Sequence, residues 1–200
     1  MNENKLSPID YYLQNDASFN ELFPPFIQLL AKRHWTPLRV VKHAVAFLNT
    51  GYNCKILDIG SGVGKFCLAG AAYAPNVHFF GVEQRSFLLD YALAAKKKLR
   101  LKNVTFMEAN FTQIDLRQYH HFYFFNSFYE NLDDSDRIDE QISHSYSLYD
   151  YYVRYLHNSL RTMPAGTKIV SYHTLWDEIP REYRLVDTLE NGALNFWVKR

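Results

Sequence analysis

Hydrophobic positions divide the chain into a helical lead and an alternating body. In the lead, a short apolar run follows Pro24-Pro25, and Thr36 with Pro37 predicts the capped start of a helix that Gly51 ends. Further along, β-rich runs alternate with runs of helical period. The pattern predicts strands at residues 55–59, 77–82, 104–107, 121–125 and 168–172, with helices at residues 65–73 and 87–99. Such alternation predicts parallel strands with crossover helices on both faces.

The last third of the chain predicts a long helix and then a hairpin. After an acidic loop at residues 133–139, one apolar helical stripe contains Ile142, Tyr146, Tyr149, Val153, Leu156 and Leu160. Tyr151, Tyr152 and Tyr155 fall outside this stripe, which predicts exposed side chains. Residues 183–189 and 194–198 flank Asn191-Gly192, a signal for a two-residue turn. We therefore predict an α/β fold: a doubly wound, mostly parallel seven-stranded sheet with a C-terminal antiparallel β-hairpin and an N-terminal helical extension.

Composition narrows the class of protein. The 200 residues are 48% hydrophobic, which suits one domain, and the formal net charge of +1 provides no strong field to attract nucleic acid or an anionic membrane. A nucleic-acid partner is therefore disfavoured. The N-terminus has no signal-peptide pattern and no long apolar run occurs, so we expect a cytoplasmic protein without a membrane segment. Cys54 and Cys67 match no zinc or redox spacing, so we expect buried thiols and no metal site.

The segment from Lys55 to Lys65 carries the strongest chemical signal. It reads Lys-Ile-Leu-Asp-Ile-Gly-Ser-Gly-Val-Gly-Lys, with glycine at every second position after a buried strand. Glycines at such a turn allow positive φ and let a ligand approach the backbone, at the strand end where α/β sheets bind ligands. The spacing is neither that of a dinucleotide-binding loop nor that of a P-loop. Glu83 ends the next strand, where a carboxylate can accept both hydroxyls of a ribose.

These residues resemble the class I, seven-strand S-adenosylmethionine-dependent methyltransferases, whose first motif is Asp-x-Gly-x-Gly-x-Gly and whose second strand ends in an acidic residue. The resemblance implies a helical extension over the cofactor site at residues 1–52 and a methyltransferase domain at residues 53–200. It also implies that S-adenosylmethionine contacts Thr36, Asp58, Gly60, Ser61, Gly62, Gly64, Glu83, Gln84, Asn110, Phe111 and Asn126. Asn110 replaces the usual aspartate, and its amide oxygen is expected to accept the adenine amino group. Phe111 is expected either on the adenine ring or in the core.

The segment after the fourth predicted strand, Asn126-Ser127-Phe128-Tyr129, bears on the methyl acceptor. It lacks the Asn-Pro-Pro-Tyr pattern of enzymes that methylate bases or glutamine amides. It is similar to the non-SET seven-strand protein-lysine methyltransferases, as are Trp35-Thr36-Pro37 and residues 163–171. This likeness implies Asn126 and Tyr129 as catalytic residues. Phe128, Tyr129, Tyr172 and His173 are the expected substrate-binding residues.

The sequence leaves several alternatives open. A small-molecule acceptor is an alternative to a protein lysine, and a non-catalytic S-adenosylmethionine-binding protein is an alternative to an enzyme. A nicotinamide-linked oxidoreductase fits the glycine spacing and the terminal hairpin less well. The basic run from Lys96 to Lys102 is interpreted as a solvated helix face, and the number of methyl groups transferred and the oligomeric state are left open.

Overall fold

The computed structural model describes residues 7–132, 138, 139, 142, 144–175 and 178–200. Most of the acidic loop, at residues 133–137, therefore lies outside the described residues. The strands are β1 (Cys54–Ile59), β2 (Val77–Glu83), β3 (Val104–Glu108), β4 (His121–Phe125), β5 (Lys168–Tyr172), β6 (Tyr183–Leu189) and β7 (Leu194–Lys199). The helices are α1 (Pro8–Tyr12), α2 (Asp16–Asn20), α3 (Pro25–Gln28), α4 (Ala31–His34), α5 (Leu38–Leu48), α6 (Lys65–Tyr73), α7 (Ser86–Leu99) and α8 (Tyr146–Arg161).

The seven strands form one sheet in the order β3-β2-β1-β4-β5-β7-β6. Strands β1 to β5 pair in parallel, whereas β7 runs antiparallel to both β5 and β6. The predicted doubly wound sheet with an antiparallel C-terminal hairpin is confirmed. The chain leaves β1 towards β2 and later returns to β1 as β4, so the strand order reverses beside β1. Ligands of α/β sheets bind at the carboxyl ends of strands at such a reversal.

Alternating side chains of the strands build one core on each face of the sheet. Ile56 packs in a core with α5, α6 and α7, whereas the neighbouring Leu57 packs in a second core with α8. In α8, Tyr149, Tyr152, Leu156 and Leu160 are buried, while Tyr146 is 71% exposed. The prediction was therefore wrong for Tyr146 and Tyr152. The helix begins only at Tyr146, so Ile142 lies before it. The buried face therefore includes Tyr152 and leaves out Tyr146, in contrast to the predicted stripe.

One predicted helix cap and one predicted turn differ in the structure. Thr36 does not cap α5, because its hydroxyl pairs with the Tyr123 hydroxyl at 2.8 Å. Asp16 performs the capping from α2 instead, since its Oδ1 accepts the Leu38 N–H at 2.9 Å. The β6–β7 connection contains the four residues 190–193, because Glu190, Asn191 and Gly192 all adopt positive φ. The predicted two-residue turn is thus replaced by a longer one.

Candidate active site

The loop between β1 and α6 turns sharply at its three glycines. Gly60, Gly62 and Gly64 have φ values of +74°, +53° and +77°, in the left-handed region that favours glycine. The backbone N–H groups of Gly60 and Ser61 both donate to the Val82 carbonyl at 3.0 Å. These bonds hold the loop against the end of β2, and therefore next to Glu83.

The glycines differ in what surrounds them. A Cβ on Gly62 would have no heavy atom of the protein within 4 Å, whereas a Cβ on Gly64 would lie 2.4 Å from Cζ of Phe106. Gly62 also lines a cleft at the carboxyl ends of β1 and β2. Gly62 therefore keeps space free for a ligand, while Gly64 keeps space free for packing of the core.

Glu83 points back at this loop from the end of β2. Its Oε2 accepts the Gly62 N–H at 3.0 Å, and its Oε1 accepts the N–H groups of Gln84 and Arg85 at 2.8 and 3.0 Å. Burial raises the pKa of Glu83, and these hydrogen bonds with the nearby Arg85 charge oppose the shift. A carboxylate has about four lone-pair sites, and the three N–H groups occupy three of them, so Oε2 keeps a site that can accept a ribose hydroxyl.

Aromatic rings form the far wall of this glycine-loop cleft. Phe111 packs on Phe128 and Tyr152, with ring centroids 5.1 and 5.6 Å apart. All three side chains line the cleft, as do Gln84 and Glu83. A planar ring fits between such walls. Phe128, predicted to bind substrate, thus lies beside Phe111 on the side expected to hold the adenosine.

Asn110 has a different environment from the predicted one. Its Oδ1 accepts from both the N–H and the hydroxyl of Thr112, at 3.0 and 2.9 Å, as the cap of a short 3-10 helix. Its amide nitrogen donates to Gln84 and to the Tyr152 hydroxyl, both at 2.9 Å. Because the oxygen is already used by Thr112, the geometry does not support the predicted bond from Oδ1 to an adenine amino group.

A narrow recess continues from the glycine loop below Trp35. Its lining includes Thr36, Asp58, Ser61 and Lys65. The Ser61 hydroxyl is buried and has no hydrogen-bond partner among the described residues. Buried polar atoms are usually satisfied, so this orphaned hydroxyl and the open space at Gly62 both fit a polar ligand.

Asp58 is the acidic residue in the lining of the recess, and its pKa lies well above the ordinary value. It is 3% exposed, and burial raises its pKa to about 8, although the thiol of Cys67 donates to Oδ2 at 3.6 Å. At neutral pH the side chain is therefore mostly protonated. A cationic ligand group beside Asp58 would favour the ionised form.

The N-terminal helices are attached to the loop through Lys65. Its ammonium, buried beneath Trp35 and Phe19, pairs with Asp16 at 2.6 Å. Burial lowers the pKa of Lys65, and the Asp16 carboxylate opposes that shift. Since Asp16 also caps α5, one carboxylate joins α2, α5 and the first residue of α6. The lead is thereby fixed beside the recess.

A second cleft opens on the β4–β5 side, at the ends of those strands. Asn126, Tyr129, Tyr172 and His173 line it, with Trp35 on its opposite edge. We call it the Tyr172 cleft. Trp35 and Asn126 also line the glycine-loop cleft, and Trp35 lines the recess as well. The predicted acceptor residues are thus brought together, except for Phe128.

Asn126 and His173 are both held in the left-handed backbone region, with φ of +48° and +51°. Residues other than glycine adopt this conformation at an energetic cost, and such residues cluster at functional sites. Burial also lowers the pKa of His173, so the imidazole is mostly neutral at pH 7. A neutral imidazole can accept a proton.

Of the remaining predicted cofactor residues, Thr36, Gly60 and Ser61 line the recess and Gln84 lines the glycine-loop cleft, whereas Gly64 and Asn110 line neither. The sequence interpretation missed Arg85, Glu130 and His144. No periodicity or motif marks them. Only the position of Arg85, two residues after Glu83, could have indicated a role.

Two negative findings concern the described part of the chain. No group of three or more His, Cys, Asp or Glu side chains is placed there to hold a metal ion. None of the helices described is both long and apolar enough to cross a bilayer.

The strand order, the glycine loop at its reversal and the carboxylate at the end of β2 define the class I methyltransferase fold. Comparisons with known proteins agree, because residues 51–142 match a methyltransferase domain family, just under half of the chain. The tRNA (guanine-N(7)-)-methyltransferase of Synechococcus sp. (strain JA-3-3Ab) is 48% identical over 54 residues, which are 27% of this chain and 23% of that protein. The chain thus matches about a quarter of that curated relative's length.

Solved structures share the fold. The RNA methyltransferase from Salinibacter ruber in complex with S-adenosyl-L-homocysteine aligns with a TM-score of 0.56 at 20% identity, over 82% of this chain and 93% of that one. A SAM-dependent methyltransferase from Aquifex aeolicus aligns with a TM-score of 0.52 at 17% identity, over 97% of each chain. The predicted fold, that of the class I methyltransferases, is confirmed. The predicted likeness to protein-lysine methyltransferases is not shown by these comparisons.

Proposed function

We propose that this protein transfers the methyl group of S-adenosylmethionine to an acceptor bound in the Tyr172 cleft. The observation that carries this proposal is the juxtaposition of the open backbone at Gly62 with the carboxylate of Glu83, joined by a 3.0 Å hydrogen bond at the strand reversal. Glu83 would hold the ribose, Phe111 the adenine ring, and the recess at Asp58 the methionine end.

Little covalent chemistry is required of the protein. When bound, the sulfonium supplies an electrophilic methyl group, which is transferred by in-line displacement. The residues must therefore align the acceptor and exclude water, an effect worth up to about 7–11 kcal/mol of barrier. Asn126 lines both clefts and would orient the acceptor between them, which is the role proposed for it.

The protonation state of the acceptor is the second requirement. A lysine amine with a reference pKa near 10.4 is neutral in roughly one molecule in two thousand at pH 7. Tyr129, Tyr172 and Phe125 would desolvate the ammonium and so lower its pKa. His173, mostly neutral at pH 7, is placed to accept the released proton.

The finer proposal for the acceptor is a protein lysine, as the Asn126 segment predicts. A second candidate is a base in RNA, supported by the names of relatives that are tRNA or RNA methyltransferases. The aromatic wall of Phe125, Tyr172 and His173, with ring centroids 4.3–5.7 Å apart, fits either a methylene chain or a planar base.

An experiment with radiolabelled S-adenosylmethionine decides among these. The purified protein is incubated with fractionated lysate of its source at a limiting concentration of the labelled cofactor, and label is measured separately in protein, RNA and small molecules, with Glu83→Gln as the control that binds the cofactor weakly. Label in protein that vanishes with this variant supports the lysine proposal, and label in RNA supports the second candidate. Binding of the cofactor without any labelled product would refute the proposed transfer and indicate a non-catalytic binding protein.

A further inference from the structure

Arg85 is a buried cation that faces three carboxylates. It is 8% exposed and lies two residues beyond Glu83, at the start of α7. Its Nη2 lies 2.6 Å from Glu130, its Nε 3.0 Å from Asp139, and its Nη1 3.7 Å from Glu83. Each partner is met by a different guanidinium nitrogen, an arrangement that the planar fork of arginine permits and an ammonium does not.

Two of these carboxylates belong to the chain after β4. We call its described residues, 130–132, 138, 139, 142 and 144, the post-β4 segment. Within it, Oε2 of Glu130 also lies 3.2 Å from Nε2 of His144 and accepts the Ile138 N–H at 3.4 Å. Glu130 thus gathers residues on both sides of the gap in the described chain.

The post-β4 segment forms one wall of the glycine-loop cleft. The cleft that Glu83 and Gln84 line is also lined by five residues of this segment: Glu130, Asn131, Ile138, Ile142 and His144. The described residues of this wall are not joined to β2 by sheet hydrogen bonds, because β2 pairs with β1 on one side and with β3 on the other. Among the contacts described, Arg85 supplies the ion pairs that connect the wall to the cofactor carboxylate.

Electrostatics makes this connection dependent on one side chain. With Arg85 present, the guanidinium offsets three carboxylates in a poorly solvated site, where charges interact more strongly than in water. Without it, three carboxylates would face one another with no cation among them, which would weaken the connection of the wall to β2. The same charge also favours the ionised form of Glu83, whose pKa burial raises.

We propose that Arg85 is a positioning residue that fastens Glu130 and Asp139 of the post-β4 segment to Glu83, so that binding of the nucleoside depends on the attachment of this wall. The proposal rests on the proposed function in one respect, the assignment of Glu83 as the ribose ligand. By reciprocity, any change that loosens the wall weakens the nucleoside, and the nucleoside in turn tightens the wall.

The test combines affinity with hydrogen exchange in Arg85→Gln, Asp139→Asn and the double variant. Titration calorimetry gives the dissociation constant for S-adenosylhomocysteine, and exchange of peptides covering residues 138–150 is followed with and without it. Arg117→Gln is the matched control, because Arg117 also pairs with a carboxylate, that of Asp115, but is 73% exposed.

We expect Arg85→Gln and Asp139→Asn each to weaken binding at least about fivefold, the lower range of allosteric coupling, and the double variant to add little to Arg85→Gln. Exchange at residues 138–150 should rise in both single variants even without ligand. Arg117→Gln should change neither quantity.

The outcomes separate this inference from the proposed function. If the unaltered protein does not bind S-adenosylhomocysteine, the proposed function fails, and the exchange of the free variants alone decides whether Arg85 fastens the wall. If Asp139→Asn folds and leaves both affinity and exchange unchanged, the coupling through Arg85 is refuted. Unfolding of Arg85→Gln would leave Asp139→Asn to give the decision.

Discussion

Replacing Glu83 by glutamine tests the ribose assignment with almost no change of shape. The carboxylate accepts three backbone N–H groups, from Gly62, Gln84 and Arg85. An amide has only one oxygen, so it cannot satisfy both sides of this arrangement and also accept a ribose hydroxyl. A hydrogen bond to a charged group contributes about 1.5–3 kcal/mol. The loss of one such bond predicts a dissociation constant for S-adenosylhomocysteine about 10- to 100-fold higher.

The fold should tolerate this change. Burial raises the pKa of Glu83, which means that the folded protein disfavours its charge, and removal of that charge offsets part of the lost hydrogen bonding. Glu108→Gln provides a matched control, since Glu108 pairs with Glu83 in register on β3 but is exposed and lines neither cleft. Calorimetry should find its affinity within about twofold of the unaltered protein. Equal affinities of Glu83→Gln and Glu108→Gln, with both variants folded, would refute the ribose role.

Three further predictions concern neighbouring groups. Burial raises the pKa of Asp58 to about 8, and Asp58 should lose its proton when a cationic amino group binds beside it. Cofactor affinity should therefore rise with pH up to about 8, by as much as about tenfold per unit, and Asp58→Asn should abolish this rise. Calorimetry in buffers of different ionisation enthalpy measures the released proton, and pH-independent binding would contradict the assignment. Gly62→Ala and Gly64→Ala should both lower the melting temperature, because both positions have positive φ, but Gly64→Ala should lower it more, because only its Cβ meets a core side chain, at 2.4 Å from Phe106. Gly62→Ala should also lose cofactor affinity, and equal melting temperatures would show that Phe106 moves aside. His173→Asn keeps a residue type that tolerates the left-handed backbone, and it should lower kcat without changing cofactor affinity. It should also remove the rise of kcat with pH near the lowered pKa of His173. An unchanged pH profile would exclude His173 as the proton acceptor.

Local sequence determined much of the sheet. Strands β4 and β5 and helix α6 have the predicted bounds, because their apolar runs are short, uniform and bounded by turn residues. The buried face of α8 was harder to predict, since its five tyrosines are distributed around the helix. Tyr152 is buried because its hydroxyl accepts the Asn110 amide and its ring meets Phe111, and both partners lie about forty residues away. Periodicity within one helix carries no information about such contacts.

The same distinction applies to the site. The glycine loop and Glu83 could be predicted as a ligand site because the motif is contiguous and each residue type has a physical reason. The role of Asn110 could not be decided from the sequence, because the same amide can cap a turn or bind a base, and in the fold its oxygen accepts from Thr112. Arg85 and the pair of Asp16 with Lys65 depend on elements far apart in the chain. Their roles follow from the folded arrangement of charges.

A crystal structure of the protein with S-adenosylhomocysteine would show whether Glu83 binds the ribose. We expect the nucleoside in the glycine-loop cleft, with a ribose hydroxyl within hydrogen-bond distance of Glu83 and the ligand passing over Gly62. A nucleoside bound elsewhere, or bound in this cleft with its ribose away from Glu83, would contradict this expectation.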